Sequence, residues 1–471
     1  MRGLGLALLL AGAPARAGTN VVLISLDTTR ADALSCYGRL PGLAPTAPAE
    51  ATPHLDALAR EGLRFERFYA TAPTTLSSHA TLLTGLDPHQ HGVPRNGFPL
   101  AEGVPTLATR LAGEGWDTIG VLGAAVLDSD LGLARGFRVY DDDVGAVTGA
   151  VATRADNVVT RALAAVDARP STAPPLFLFA HFYDAHAPYD PSEPYRTRFA
   201  PQGYHGPFAT GMEGRLLPLR EAIAAGQADP LDVAAVNGLY QAEVAYVDDQ
   251  VGELLQGLAT RGLLDDALVI VIADHGESVQ TNAALAYTHG SGVTDDVVRV
   301  PLIVRSYGSN AIVRRGVVER SANMTCVAPT VERLVGLEPS LGQDCWQLVR
   351  PGPVNDTDGW PERPSPAAFA EATRPHVTAS STWNNVGLRR AVRVGEAQLF
   401  AGPSAGEPPM LIGVAERGTA RHALRDLLAE RLSAWDAVTP PFRSDDPTGA
   451  LWQVLETLGY VDPVSDERTG P

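Results

Sequence analysis

The sequence predicts an α/β fold, a central and mostly parallel sheet covered by helices on both faces. Short β-branched runs alternate with segments of helical period along most of the 471 residues. Hydrophobic residues make up 45% and aromatics only 6%, a balance that supplies an ample core without repeats or disorder. The strand-like runs also end in polar, chemistry-bearing residues, as expected where an open sheet binds a ligand.

Strands are expected over residues 21–26, 118–122, 176–182 and 268–273. Helices are expected over 54–61, 77–83, 106–114, 152–168 and, longest, 240–261. In and just before that last segment Leu239, Ala242, Ala245, Tyr246, Val247, Leu254 and Leu258 share one broad face, so it should pack on the sheet. The Pro-rich stretch 39–50 reads as a surface insertion, and 351–366 as a linker. These divisions give a large domain at 19–350 and a smaller α+β subdomain at 367–471. Within the latter, 385–399 alternates like strands and 420–437 reads as a helix.

A formal net charge of −17, with no Lys/Arg-rich run, argues against a nucleic-acid partner. Residues 1–17 (MRGLGLALLLAGAPARA) read as a secretory signal peptide ending in the small-x-small form Ala15-Arg16-Ala17. The expected location is therefore periplasmic or extracellular. No later stretch reaches the ~18 unbroken apolar residues of a transmembrane helix. Of three cysteines, Cys326 and Cys345 lie close in sequence and are expected to pair in an oxidising compartment.

The residues at the strand ends carry the chemistry. The first run ends in Asp27, the third contains His181 and leads to Asp184 and His186, and the fourth ends in Asp274-His275. One such Asp is most simply a cap or turn former, but three strands ending this way suggest a shell for a divalent metal. A fourth element, residues 72–85 (APTTLSSHATLLTG), leads a Thr/Ser cluster into a helix start. Unpaired N–H groups there suit an oxyanion, and a hydroxyl beside a metal could act as nucleophile. A plain Ser/Thr N-cap explains this segment equally well.

Six stretches stand out in order: 20–38 (NVVLISLDTTRADALSCYG), 52–69 (TPHLDALAREGLRFERFY), 74–93 (TTLSSHATLLTGLDPHQHGV), 181–191 (HFYDAHAPYDP), 240–277 ending in ADHGE, and 289–304 (HGSGVTDDVVRVPLIV). Together they resemble the sulfatases, a family within the alkaline phosphatase superfamily, over most of residues 20–305. The resemblance implies a metal held by Asp27, Asp274 and His275, with Thr75 as nucleophile and further ligand. It also implies that His186 faces the ester, and that His289 lies beside a substrate-contacting position. His89 and His91 fall in a His-x-x-His-Gly-like turn. The cation would be Ca, Mg, Mn or Zn. The order Asp27, Thr75, Asp184, His186, Asp274, His275, His289 is also similar to two-metal phosphodiesterases of the superfamily, which implies a second cation at Asp184, His186 and His289.

Departures from the family pattern redirect the chemistry. Sulfatases carry Cys or Ser, oxidised to formylglycine, in a Cys/Ser-x-Pro-x-Arg signature. Here the nucleophile is Thr75, the Pro is Ser77 and the Arg is His79, while the usual second Asp after Asp27 is Thr28. A modified Thr must be cleared by an attacking water or alcohol, which suits phosphoryl transfer. The expectation is an exported hydrolase or transferase, acting on a phosphate or sulfate ester of a small molecule, glycan or lipid headgroup. The alternative is an inactive relative that binds an anionic glycan or lipid headgroup.

Overall fold

A computed structural model describes residues 18–145, 150–212, 214–279, 286–290, 292–308, 312–339, 345–350, 368–372, 389–394, 397–401, 410–412 and 419–436. The expected signal peptide and linker lie outside the described residues.

Ten strands belong to the larger part: β1 (Asn20–Leu26), β2 (Leu63–Phe65), β3 (Phe68–Tyr69), β4 (Asp117–Val121), β5 (Val139–Asp141), β6 (Leu176–Phe182), β7 (Ala267–Ala273), β8 (Leu302–Ser306), β9 (Gly316–Val318) and β10 (Ala322–Asn323). Eight form one sheet in the order β5-β4-β6-β1-β7-β8-β2-β9, and β3 pairs with β10. From β5 to β7 every pairing is parallel, and β8 runs antiparallel to both neighbours. Such strands must be covered on both faces, so they read as continuous apolar runs. β1, β4, β6 and β7 are almost wholly buried.

Register places the site. Leu26 at the end of β1 pairs with Phe182 of β6 on one side and Ala273 of β7 on the other. Three strands therefore stop level with one another, and the residues after them emerge side by side. The helix Thr75–Thr84 runs close by with all ten residues buried. It ends on Gly85, whose φ of 74° is the left-handed turn that glycine adopts without strain.

The long helix spans Pro230–Thr260 and starts ten residues earlier than its sequence suggests. Asp229 caps it by accepting from Leu231 N at 2.8 Å, and Pro230 occupies the first turn. Gly238, a poor helix former, lies inside it at a point of close approach, since a Cβ there would lie 2.5 Å from Phe199 O. The 39–50 insertion is likewise less superficial than expected, because Ala47 packs with Phe199, Ala242 and Ala245. Cys326 and Cys345 are joined by a disulfide.

The C-terminal strands β11 (Ala368–Ala372), β12 (Arg389–Val394), β13 (Ala397–Ala401) and β14 (Met410–Ile412) form an antiparallel sheet. The helix Thr419–Asp436 covers it, burying Leu428 and Leu432 against Val392, Leu399 and Leu411. Ala368, Ala370, Ala372 and Ala391 join the main core instead. Two polar ties fix the join. Glu371 accepts from His89 N at 2.9 Å, and Arg393 pairs with Asp295 at 2.9 Å.

The helix Pro53–Glu61 borrows its cap from another element. Thr52 makes no side-chain cap bond, and Asp248 of the long helix accepts from His54 N (3.0 Å) and Leu55 N (2.8 Å). Asp248→Ala would leave both donors without an acceptor and should lower unfolding stability by about 2 kcal/mol in denaturant titrations. Burial raises the Asp248 carboxyl from 3.8 to about 7. Between those values the unfolded chain binds fewer protons than the folded one, so this residue's contribution is greatest at low pH and falls as pH rises. The stability difference, wild type minus Asp248→Asn, should therefore move against the wild type between pH ~4 and ~7.

Candidate active site

Asp27 leaves β1 into a tight turn. Thr28 takes a left-handed conformation (φ 49°), which strains a β-branched residue. Three bonds hold it: Thr28 N to Asp274 Oδ1 (3.1 Å), Tyr240 Oη to Thr28 O (2.9 Å) and Thr29 Oγ1 to Asp27 O (3.1 Å). Asp274 leaves β7 in the same way, with His275 N donating to its Oδ1 at 2.7 Å. His275 Nδ1 donates to Gly276 O (3.0 Å), which leaves Nε2 as the nitrogen able to ligate a metal. That atom lies 3.3 Å from Asp274 Oδ2 and 3.4 Å from Thr75 Oγ1.

The two carboxylates are fully buried, and within their groups Asp27 Oδ1 and Asp274 Oδ2 have no hydrogen-bond partner. Burial raises Asp27 to about 6, with His275, His289 and Thr75 pulling the other way. Burial and then the neighbouring Asp27 raise Asp274. Such groups need a positive charge between them. Ligand atoms of Asp27, Asp274 and His275 lie within 4.8 Å of one another, so the donor set fits a divalent cation. Only one other such group occurs among the described residues, at His54, Asp248 and Asp249, and there both Asp248 oxygens already accept backbone N–H groups.

Thr75 is the first residue of its helix, and the N-cap position falls on Thr74. Thr74 makes no side-chain cap bond, and Leu76 N is capped from afar by Asn96 Oδ1 at 2.8 Å. The Thr75 hydroxyl is thus not spent on capping and turns toward His275. One turn on, His79 Nδ1 donates to Thr75 O (2.7 Å), and its Nε2 accepts from Ser25 Oγ (2.8 Å). Burial lowers His79 to about 3, so a neutral ring stands where the family signature has Arg. His181, lowered by burial to about 4, donates from Nε2 to Asp27 Oδ2 at 3.0 Å.

His186 stacks on Tyr183 and donates from Nδ1 to Ala187 O at 2.6 Å, and burial holds its pKa well below the usual value. The His289 ring lies 4.5 Å from that of His275 and 5.0 Å from that of His186. Burial opposes its charge, but Glu277, with Asp27 and Asp274, outweighs this and raises its pKa.

Six of the seven expected site residues therefore converge: Asp27, Thr75, His186, Asp274, His275 and His289. Asp184 does not join them. It pairs with Arg154 Nε at 3.1 Å and accepts from Ala155 N at 3.3 Å. Among the described residues Asp184, His186 and His289 form no three-ligand cluster, so the second-cation expectation finds no support in this geometry. His89 and His91 also face elsewhere, toward Glu371 and Thr81.

Four residues that touch this machinery receive no individual role in the sequence reading. His181 and Glu277 carry a signal, one as the only His in an apolar strand and the other two positions after His275. His79 carries one too, as the residue at the signature's Arg position, whereas Asn96 carries none, because its role depends on how a loop packs.

The sulfatase family model matches residues 19–337. The chain belongs to the sulfatase family. It is 31% identical to human N-sulphoglucosamine sulphohydrolase over 250 residues, 48% of this chain and 46% of that one. The chain thus spans about half the length of that relative. It is 25% identical to the multifunctional alkaline phosphatase superfamily protein PehA of Trinickia caryophylli, over 70% of this chain and 76% of that protein. The phosphonate monoester hydrolase of Agrobacterium radiobacter shares the fold, with a TM-score of 0.65 at 22% identity, covering 89% of this chain and 95% of that one. No described helix is long and apolar enough to cross a membrane.

Adding a divalent cation to chelator-stripped protein should raise its melting temperature. Saturation at about 100 times Kd is worth about 2.7 kcal/mol. Asp274→Ala should show no such rise and no binding heat in calorimetry. A full cation response from that variant would remove Asp274 from the ligand set.

Proposed function

We propose that this chain is an exported, metal-dependent hydrolase of phosphate, phosphonate or sulfate esters, with Thr75 as its nucleophile. One observation carries the reading: a buried Thr75 hydroxyl beside His275 Nε2 and two buried carboxylates with unpartnered oxygens. Asp27, Asp274 and His275 would hold a divalent cation, which would supply positive charge to ease loss of the Thr75 proton and to offset charge on the ester.

The chain's own residues do the rest. Thr75 Oγ1 forms a bond to phosphorus or sulfur as its proton passes to solvent. The bond to the leaving alcohol breaks, its electron pair stays on the alcohol oxygen, and His289 supplies the proton. Water then attacks the Thr75 ester and gives a proton to His289. Thr75 Oγ1 departs with its electron pair and regains a proton from solvent. Neutral His186 keeps its one N–H on Ala187 O, so its Nε2 lies beside the ester as an acceptor, without adding charge.

A threonine ester cannot release its oxyanion by the elimination open to a formylglycine hydrate. That difference favours phosphorus over sulfur as the attacked centre. The substrate is an ester-bearing small molecule, glycan or lipid headgroup. Export accords with the apolar start of the sequence and with the paired Cys326 and Cys345. A purely binding relative is disfavoured, since it would have no use for buried carboxylates that lack partners.

The decisive test is a panel of phosphomonoester, phosphodiester, phosphonate and sulfate nitrophenyl esters, each with Ca, Mg, Mn and Zn. On the best pair Thr75→Ala should lose about 1,000-fold or more in kcat, while Thr75→Ser stays within about 100-fold. Near-normal turnover by Thr75→Ala would refute the assignment of the nucleophile.

A further inference from the structure

We propose that Glu277 positions His289 for proton transfer to the leaving group. This rests on the reading that His289 serves the ester. Glu277 is 1% exposed, and separate elements fix its two ends. Its backbone O accepts from Arg30 Nη1 at 3.0 Å, just beyond β1. Its Oε2 accepts from Tyr189 Oη at 3.3 Å, in the loop after β6. Its Oε1 accepts from Ser278 N at 3.3 Å and faces His289 Nδ1 at 3.5 Å.

A buried carboxylate behind an imidazole selects which nitrogen works. With Nδ1 on the side of the Glu277 carboxylate, 3.5 Å away, the ring offers Nε2 on its opposite edge, the arrangement that orients a catalytic histidine in acyl transfer. As the ester bond breaks, the electron pair goes to the leaving oxygen and the Nε2 proton follows it. Glu277 acts through His289, which it faces at 3.5 Å, so it is a positioning residue. His289 sits outside any helix or strand, so a partner fixed by other elements is what aims its ring.

The test compares phenyl and nitrophenyl esters of whichever acid the panel selects, because a poor leaving group needs the proton most. Glu277→Gln keeps the shape and removes the charge. It should lower kcat on the phenyl ester by about tenfold or more, and much less on the nitrophenyl ester. KM should change by less than about threefold, with bound metal and melting temperature held. The effect should nearly vanish in a His289→Ala background, since the pair acts as one unit. Tyr189→Phe, which loosens Glu277 without touching its charge, should give a smaller loss with the same leaving-group bias.

Equal losses on both esters, loss of metal in Glu277→Gln, or full additivity with His289→Ala would overturn the proposal. Should His289→Ala damage the phenyl ester rate while Glu277→Gln and Tyr189→Phe do not, the positioning role fails alone. Should His289→Ala leave that rate intact, the role of His289 itself fails, and this proposal with it.

Discussion

Two carboxylates are held side by side inside a protein, and much of the remaining structure answers to them. Asp27 and Asp274 emerge from neighbouring parallel strands in register, so their separation is set by strand spacing and not by a flexible loop. Buried like charges repel, and each raises the other's affinity for a proton. The surrounding groups answer this in stages. His181 donates to Asp27, backbone N–H groups of Thr28 and His275 donate to Asp274, and two oxygens remain for a cation. Even the strained Thr28 turn makes sense here, since its N–H is one of those donors.

Histidine does varied work in this shell because burial fixes each ring's state differently. His79 and His181 sit deep, are driven neutral, and use both chemistry and shape to brace the nucleophile's helix and Asp27. His289 has a carboxylate behind it and is pushed the other way. A sequence shows identical letters where the fold pushes proton affinities in opposite directions.

Much of the fold is legible in the sequence, and for a physical reason. Parallel strands buried on both faces must be apolar throughout, so β1, β4, β6 and β7 fall within a residue or so of expectation. The long helix reads short because its first turns, with Pro230 and Gly238, carry residues that usually interrupt a helix. One of them opens its first turn behind the Asp229 cap, and the other serves a contact with Phe199 that only packing reveals. Residues at strand ends are legible for the same reason as the strands. Asp184 misleads, since an Asp two positions before His186 looks like a ligand until Arg154, from a distant segment, claims it. Asn96 is invisible, because it caps a helix 20 residues back along the chain.

The helix that carries Thr75 has no exposed residue along its ten positions. It is pinned by Asn96 at its first turn, by His79 to Ser25, and by Ser78 to Asp274 O at 2.5 Å. A segment so enclosed opens only when the domain unfolds, and its amide hydrogens should be among the slowest to exchange. The attacking oxygen is thus placed when the chain folds, not when substrate arrives. Adaptation to new substrates is left to the loops around it, and an evolving lineage could change what it cleaves while this helix stayed still.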